Sequence, residues 1–110
     1  MGLGSGRRVL DLGAGTGKFT KYLLATGAEV VAVEPVVAMR ERLTAAFPRV
    51  RALSGQAEAI PLGDATVDAV VCAQAFHWFA TPAALAEIVR VLRPGGQLGL
   101  IWNVRDETAP

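Results

Sequence analysis

Val9 to Phe19 reads VLDLGAGTGKF. A short apolar run holding one acid enters a turn with glycine at alternate positions, Gly13, Gly15 and Gly17, and the stretch from Phe19 to Leu24 then reads as helix. A strand that ends in glycines and restarts as a helix lets backbone approach a ligand closely, because no side chain intervenes. The helix start then presents unpaired N–H groups and partial positive charge to that ligand.

Outward from this turn, strands and helices alternate. The first strand spans Arg8 to Leu12, and the first helix, Lys18 to Ala25, stops at Gly27. Glu29 to Val33 (EVVAV) is a second strand, apolar on both faces as a buried parallel strand must be. Glu34 ends it, and Pro35 suits the first position of a helix, Val36 to Phe47, where its missing N–H would go unpaired anyway. Val36, Met39, Leu43 and Phe47 share one face of that helix and are expected to enter the core. Val50 to Ser54 is a weaker third strand suited to an edge, and Gly55 to Thr66 is mostly loop. Val67 to Ala73 is a fourth, central strand. Thr81 and Pro82 supply an N-cap and a first-turn proline for a helix over Ala83 to Leu92, with Leu85, Ile88, Val89 and Leu92 at core spacing. Arg93 to Gly96 (RPGG) is a stop and tight turn, and Gln97 to Trp102 is a fifth strand.

This alternation argues for an α/β fold, a parallel sheet with right-handed crossovers and helices on both faces. In such sheets ligands sit at the carboxyl ends of the strands, where strand order reverses. Gly13, Glu34, Gly55 and Ala73 all follow strand ends and converge on one rim.

The glycine spacing narrows the ligand. A dinucleotide fingerprint wants glycine at its sixth position, where this chain has Lys18, and no Gly-Lys-Ser or Gly-Lys-Thr supplies a phosphate loop. A glycine turn with neither pattern suits a ligand with an adenosine-like part and no pyrophosphate. Glu34, about 20 residues beyond the turn, is placed to accept from both ribose hydroxyls. Its plainer role is that of an acid favourable to the dipole of the next helix.

Composition excludes other classes. The chain has 110 residues, 52% of them hydrophobic, and a net charge of +1, which gives no general field for nucleic acid or an acidic membrane. Arg7 with Arg8, Arg40 with Arg42 and Arg49 with Arg51 are spaced pairs on a solvated surface. No apolar run is long enough to span a bilayer. Residues 1–7 read as a flexible leader, residues 104–110 as polar coil, and the whole as a single domain. Cys72, the one cysteine, lies in an apolar run and points to a buried thiol in a reducing compartment such as the cytoplasm. One cysteine and one histidine make no structural zinc cluster.

Four stretches, VLDLGAGTG, VVAVEP, SGQAEAIPLGDATVDAVVCAQAFHWF and EIVRVLRPGGQLGLIW, together resemble in order and spacing the motifs of class I S-adenosylmethionine-dependent methyltransferases, most of all a small-molecule branch. The likeness covers nearly all of Val9 to Asn103. It implies a Rossmann-like doubly wound sheet of order 3-2-1-4-5, S-adenosyl-L-methionine as cofactor and a small-molecule methyl acceptor. Asp11, Gly13, Ala14, Gly15 and Gly17 would surround the methionine part, and Glu34 would take the ribose. Pro35 and Met39 would pack near the adenine, and the Ala57 N–H would meet an adenine ring nitrogen. The family usually places Asp before that residue. Here Gln56 stands there, and its amide oxygen can still accept the exocyclic amine. Ala73 and Gln74 would lie near the methionine and the methyl group.

Phe76 and Phe79 read best as core, Trp78 as core or pocket, and His77 as a local hydrogen-bonding residue or, alternatively, a base for the acceptor. Transfer from a sulfonium needs an acceptor held close, aligned and dry more than it needs a protein nucleophile. The family's full domain continues past the fifth strand with further strands, so the chain is expected to be a donor-binding core lacking strands 6 and 7. Its fifth-strand edge would then invite self-association. A non-catalytic cofactor-binding or interaction module and a nicotinamide-dependent oxidoreductase are the alternatives.

Overall fold

The computed structural model describes residues 6–14, 17–72 and 81–100. Gly15, the segment Ala73 to Ala80 with its aromatic residues and His77, and everything from Ile101 onward lie outside the described residues. The elements run β1 (Arg8–Leu12), α1 (Thr20–Leu24), β2 (Glu29–Val33), α2 (Val37–Ala46), β3 (Arg51–Leu53), β4 (Val67–Cys72), α3 (Pro82–Val91) and β5 (Leu92–Leu100). The strands form one parallel sheet in the order β3-β2-β1-β4-β5. This is the expected Rossmann-like arrangement.

Strand alternation divides the core in two. Leu10, Leu12, Val31, Val33, Val70 and Cys72 point to one face, where Ala84, Ile88 and Val91 of α3 and Ala57 and Ile60 of the β3–β4 segment meet them. Val9, Val30, Ala32, Ala69 and Val71 point to the other face, against Leu23, Ala28, Leu43 and Val50, with Phe19 and Phe47 packed alongside. Each fully buried aliphatic side chain stabilises the fold by about 1.5–3 kcal/mol. The chain steps from β1 through β2 to β3 in one direction and resumes at β4 on the other side of β1. A single crossover hand then requires helices to change face at that point, and α3 lies opposite α1 and α2.

Several sequence expectations shift. Pro35 is not the first residue of α2. The Glu34 carboxylate takes the Val36 N–H at 3.0 Å, Val36 stays extended as the N-cap, and the helix begins at Val37. Of the four residues expected to face the core, only Leu43 is fully buried, whereas Val36 and Met39 are exposed with Val37 around the first turn. The helix touches the sheet by its C-terminal half and leaves its first turn at the rim. In α3 the phase is rotated by one residue. Ala84, Ile88 and Val91 are buried, whereas Leu85 and Val89 are exposed. Thr81 caps α3 as expected, its hydroxyl accepting the Ala84 N–H at 3.1 Å.

β5 begins at Leu92 rather than Gln97. Leu92 pairs with Val67, and the next pairing joins Gln97 to Ala69, so residues 93–96 bulge out of the ladder. Gly95 turns there at φ +82°, and a Cβ on Gly96 would stand 2.9 Å from the Arg93 carbonyl oxygen.

Gly17 carries a packing constraint of its own. It has φ +97°, and a Cβ there would sit 2.6 Å from Leu43 Cδ1 and 2.9 Å from Phe47 Cε2. Gly17→Ala combines backbone strain with overpacking and should destabilise the chain by about 2–4 kcal/mol in urea unfolding. Gly63→Ala is its control, since the nearest atom to the added methyl is Thr66 Cγ2 at 3.5 Å and the stability should stay within about 0.5 kcal/mol.

Candidate functional site

The carboxyl ends of β1, β2 and β3 frame a cavity of about 290 Å³ lined by Leu12, Gly13, Val33, Pro35, Gly55, Gln56 and Ala57. Its walls are mostly apolar, as small-molecule sites are. The β1–β2 ladder continues beyond its strands to build the floor. The Gly13 N–H donates to the Val33 carbonyl at 2.8 Å, and Gly13 turns at φ +70°. One residue further along β2, the Glu34 N–H donates to the Leu53 carbonyl at 3.0 Å. Three strand ends are thereby laced together with the glycine turn, and Glu34 follows directly on the pocket residue Val33.

Glu34 is 5% exposed. Accepting the Val36 N–H uses one of about four lone-pair directions of an ionised carboxylate. That contact is the helix-start role expected of Glu34. Arg40, one turn into α2, donates from Nη1 to the Glu34 carbonyl at 2.8 Å and to the Pro35 carbonyl at 3.2 Å. This guanidinium pins the peptide that carries the acid and the proline. Sequence reading assigned Arg40 to the solvated surface with Arg42, and its place one turn beyond Pro35 was the signal for this contact.

Asp11 lies beneath the glycine turn at 1% exposure, and Thr20 Oγ1 donates to its Oδ2 at 2.7 Å. Sequence reading passed over Thr20. The Asp11 carboxyl is raised to about 6, chiefly by burial and also by the charge of Glu34, against the opposing pull of the Thr20 hydrogen bond. Cys72 at the end of β4 is buried, and its thiol is pushed up to about 12 by burial and then by the Asp11 charge.

Of the sequence-derived candidates, Gly13, Pro35, Gln56 and Ala57 line the cavity. Glu34 adjoins it, Asp11 and Ala14 are buried under the turn, Gly17 faces α2, and Met39 is exposed on the first turns of α2. Gly15, Ala73 and Gln74 lie outside the described residues. A larger cleft of about 400 Å³ opens at the opposite rim, among Arg7, Arg8, Arg49, Arg93 and Glu29. Its arginines Arg7, Arg8 and Arg93 already pair with Glu29 or Asp68.

A family profile described as a methyltransferase domain matches residues 10–100. The chain belongs to the methyltransferase domain family. An uncharacterized methyltransferase of Mycobacterium bovis is 59% identical over 101 residues, covering 92% of this chain and 42% of the relative. A malonyl-[acyl-carrier protein] O-methyltransferase of Methylococcus capsulatus is 41% identical over 97 residues, covering 83% of this chain and 35% of the relative. A crystal structure of a Bacillus subtilis protein superposes with a TM-score of 0.82 at 30% identity, covering 90% of this chain and 45% of that one. This methyltransferase domain thus spans less than half the length of these relatives.

The raised Asp11 pKa has a direct consequence for stability. Between about pH 4 and 6 the folded domain binds a proton that the unfolded chain has lost, so stability falls as pH rises through this window. Above it the ionised, buried carboxylate costs roughly 3 kcal/mol. Asp11→Asn keeps an acceptor for Thr20 and removes the charge. Urea unfolding at pH 4.5 and pH 7.5 should show the variant more stable than the parent at the higher pH only.

Proposed function

We propose that this methyltransferase domain is the donor-binding core of an S-adenosylmethionine-dependent methyltransferase with a small-molecule acceptor, and that residues 1–110 form that single core. The observation that carries this reading is the cavity at the ends of β1, β2 and β3, with Glu34 beside it and Gln56 and Ala57 on its third side. Its volume, about 290 Å³, suits the adenosyl part of a ligand, at the low end of small-molecule pockets. The donor set fits as well: apolar walls for a purine, one carboxylate for vicinal hydroxyls, and an amide for an exocyclic amine.

In this reading the Glu34 carboxylate accepts from the ribose hydroxyls, and Pro35 forms one wall beside the base, with Met39 near it. The Gln56 amide oxygen accepts from the exocyclic amine, and the Ala57 N–H donates to a ring nitrogen. Asp11 and the turn Gly13 to Gly17 meet the ammonium end, and a cation there would favour the charged form of the buried carboxyl. Ala73 and Gln74 complete that end. S-adenosylmethionine supplies the sulfonium methyl when bound. The protein's task is then to hold the acceptor in line and exclude water. The near-neutral chain favours a small molecule over a nucleic acid as acceptor.

β5 pairs only with β4 among the described residues, which supports self-association along its outer edge. Light scattering should then show the mass rising with concentration, and a constant monomer mass would remove this reading.

Titration calorimetry tests the donor reading. S-adenosylmethionine and S-adenosylhomocysteine should bind, and NAD should not. Glu34→Ala should weaken S-adenosylhomocysteine binding by about 10- to 100-fold, the worth of hydrogen bonds to a charged acceptor. Glu34→Gln, which keeps an acceptor for the Val36 N–H, separates this loss from damage to the start of α2. Equal affinity of the parent and both variants would refute the ribose assignment.

A further inference from the structure

The pocket's third side is built from the least regular part of the domain. Residues 55–66 contain no helix or strand, and their one bridge joins Gln56 to Ala59. A segment of this kind carries a large backbone entropy that something must remove if Gln56 and Ala57 are to stand in one place. Ala57 and Ile60 anchor it from inside, each 4% exposed.

From outside, the anchor is a pair of side chains on α3. Arg90 has five N–H donors, and each has an acceptor here. Nε donates to Glu87 Oε2 at 2.7 Å, and Nη2 donates to Glu87 Oε1 and the Ile60 carbonyl, both at 2.9 Å. Nη1 donates to the Leu62 carbonyl and to Asp64 Oδ1, both at 2.8 Å. Glu87 Oε1 in turn accepts the Ile60 N–H at 2.8 Å. The Ile60 residue is therefore gripped at both of its backbone polar groups by one ion pair.

The grip is passed on to the pocket within four residues. The Ala59 N–H donates to the Gln56 carbonyl at 3.0 Å, and the Leu62 N–H donates to the Ile60 carbonyl at 2.8 Å. At the two ends of α3, Thr81 Oγ1 donates to Glu58 at 3.3 Å, while the Arg90 and Val91 carbonyls accept the Ala65 and Thr66 N–H groups at 2.8 Å. Partly exposed ion pairs contribute little net stability. A planar fork shared among backbone carbonyls has a different use, since it fixes geometry that a lysine's single ammonium cannot reproduce.

We propose that Glu87 and Arg90 are positioning residues for the nucleobase side of the donor pocket, holding residues 55–66 so that Gln56 and Ala57 face the base. This rests on the donor reading above, and the two fail separately. Hydrogen exchange of the ligand-free domain tests the grip itself. In Arg90→Met the amides of Ala59, Ile60 and Leu62 should exchange about tenfold faster or more, with those of Val31 and Val70 unchanged. Arg90→Lys, a milder change should the first variant not fold, should fall between.

Calorimetry with S-adenosylhomocysteine and its 6-oxo analogue S-inosylhomocysteine then tests the positioning. The analogue carries an N–H where adenine offers an acceptor to the Ala57 N–H, so the parent should prefer adenine by about tenfold or more. Arg90→Met should bring that preference close to unity. Unchanged exchange in residues 55–66 would overturn the proposal. So would an equal loss of affinity for both ligands, which a merely structural role predicts. Failure of the parent to bind S-adenosylhomocysteine would instead overturn the donor reading and the nucleobase assignment with it, leaving the exchange data to decide the grip.

Discussion

The hydrogen bond from the Gly13 N–H to the Val33 carbonyl carries the central ladder one residue past the end of β1. The donor is the first residue of a turn, at φ +70°, and the acceptor is the last residue of β2. The turn therefore cannot drift relative to β2, and Glu34, the residue after Val33, is held at a set distance from the glycines. β3 joins the same lattice through the Leu53 carbonyl. The pocket is a by-product of this pairing. Its floor is strand-end backbone that has nowhere else to satisfy its polar groups.

The two helices that flank the pocket are attached in contrasting ways. α2 makes its deep contact through Leu43 and Phe47 against the bare Cα of Gly17, and its first turn is held at the rim by polar contacts from Glu34 and Arg40. α3 buries a full stripe against the sheet and uses its polar side to hold the β3–β4 segment. The acid and the proline are thus tethered by hydrogen bonds to a helix start, whereas Gln56 and Ala57 hang on a segment tied to a helix over its whole length.

The sheet was legible because EVVAV and VDAVVC are apolar on both faces, a pattern few other elements satisfy. Turn residues at the strand ends placed Gly13, Glu34 and Gly55 on one rim. The phase of α3 was only partly legible, because Ile88 belongs both to the observed stripe with Ala84 and Val91 and to the expected one with Leu85, Val89 and Leu92, each apolar at helical spacing. Size favours the second stripe. The sheet instead takes the one whose small Ala84 allows close approach. The demand on Gly17 comes from Leu43 and Phe47, 26 and 30 residues later, and the grip of Arg90 on Ile60 likewise spans 30 residues. Local pattern carries no trace of such contacts, so the packing demand on Gly17 cannot be read from GAGTG.

Cys72 acquires a meaning from the proposed ligand. A sulfonium donor is an alkylating agent, and a protein that stores one must deny it the protein's own soft nucleophiles. The thiol of Cys72 is close enough to the Asp11 carboxylate to feel its charge, at the end of a central strand. Burial pushes it up to about 12, so the thiol stays protonated at neutral pH, and the thiolate is the reactive form. Packing an apolar sheet around that sulfur keeps the thiol in its unreactive, protonated form.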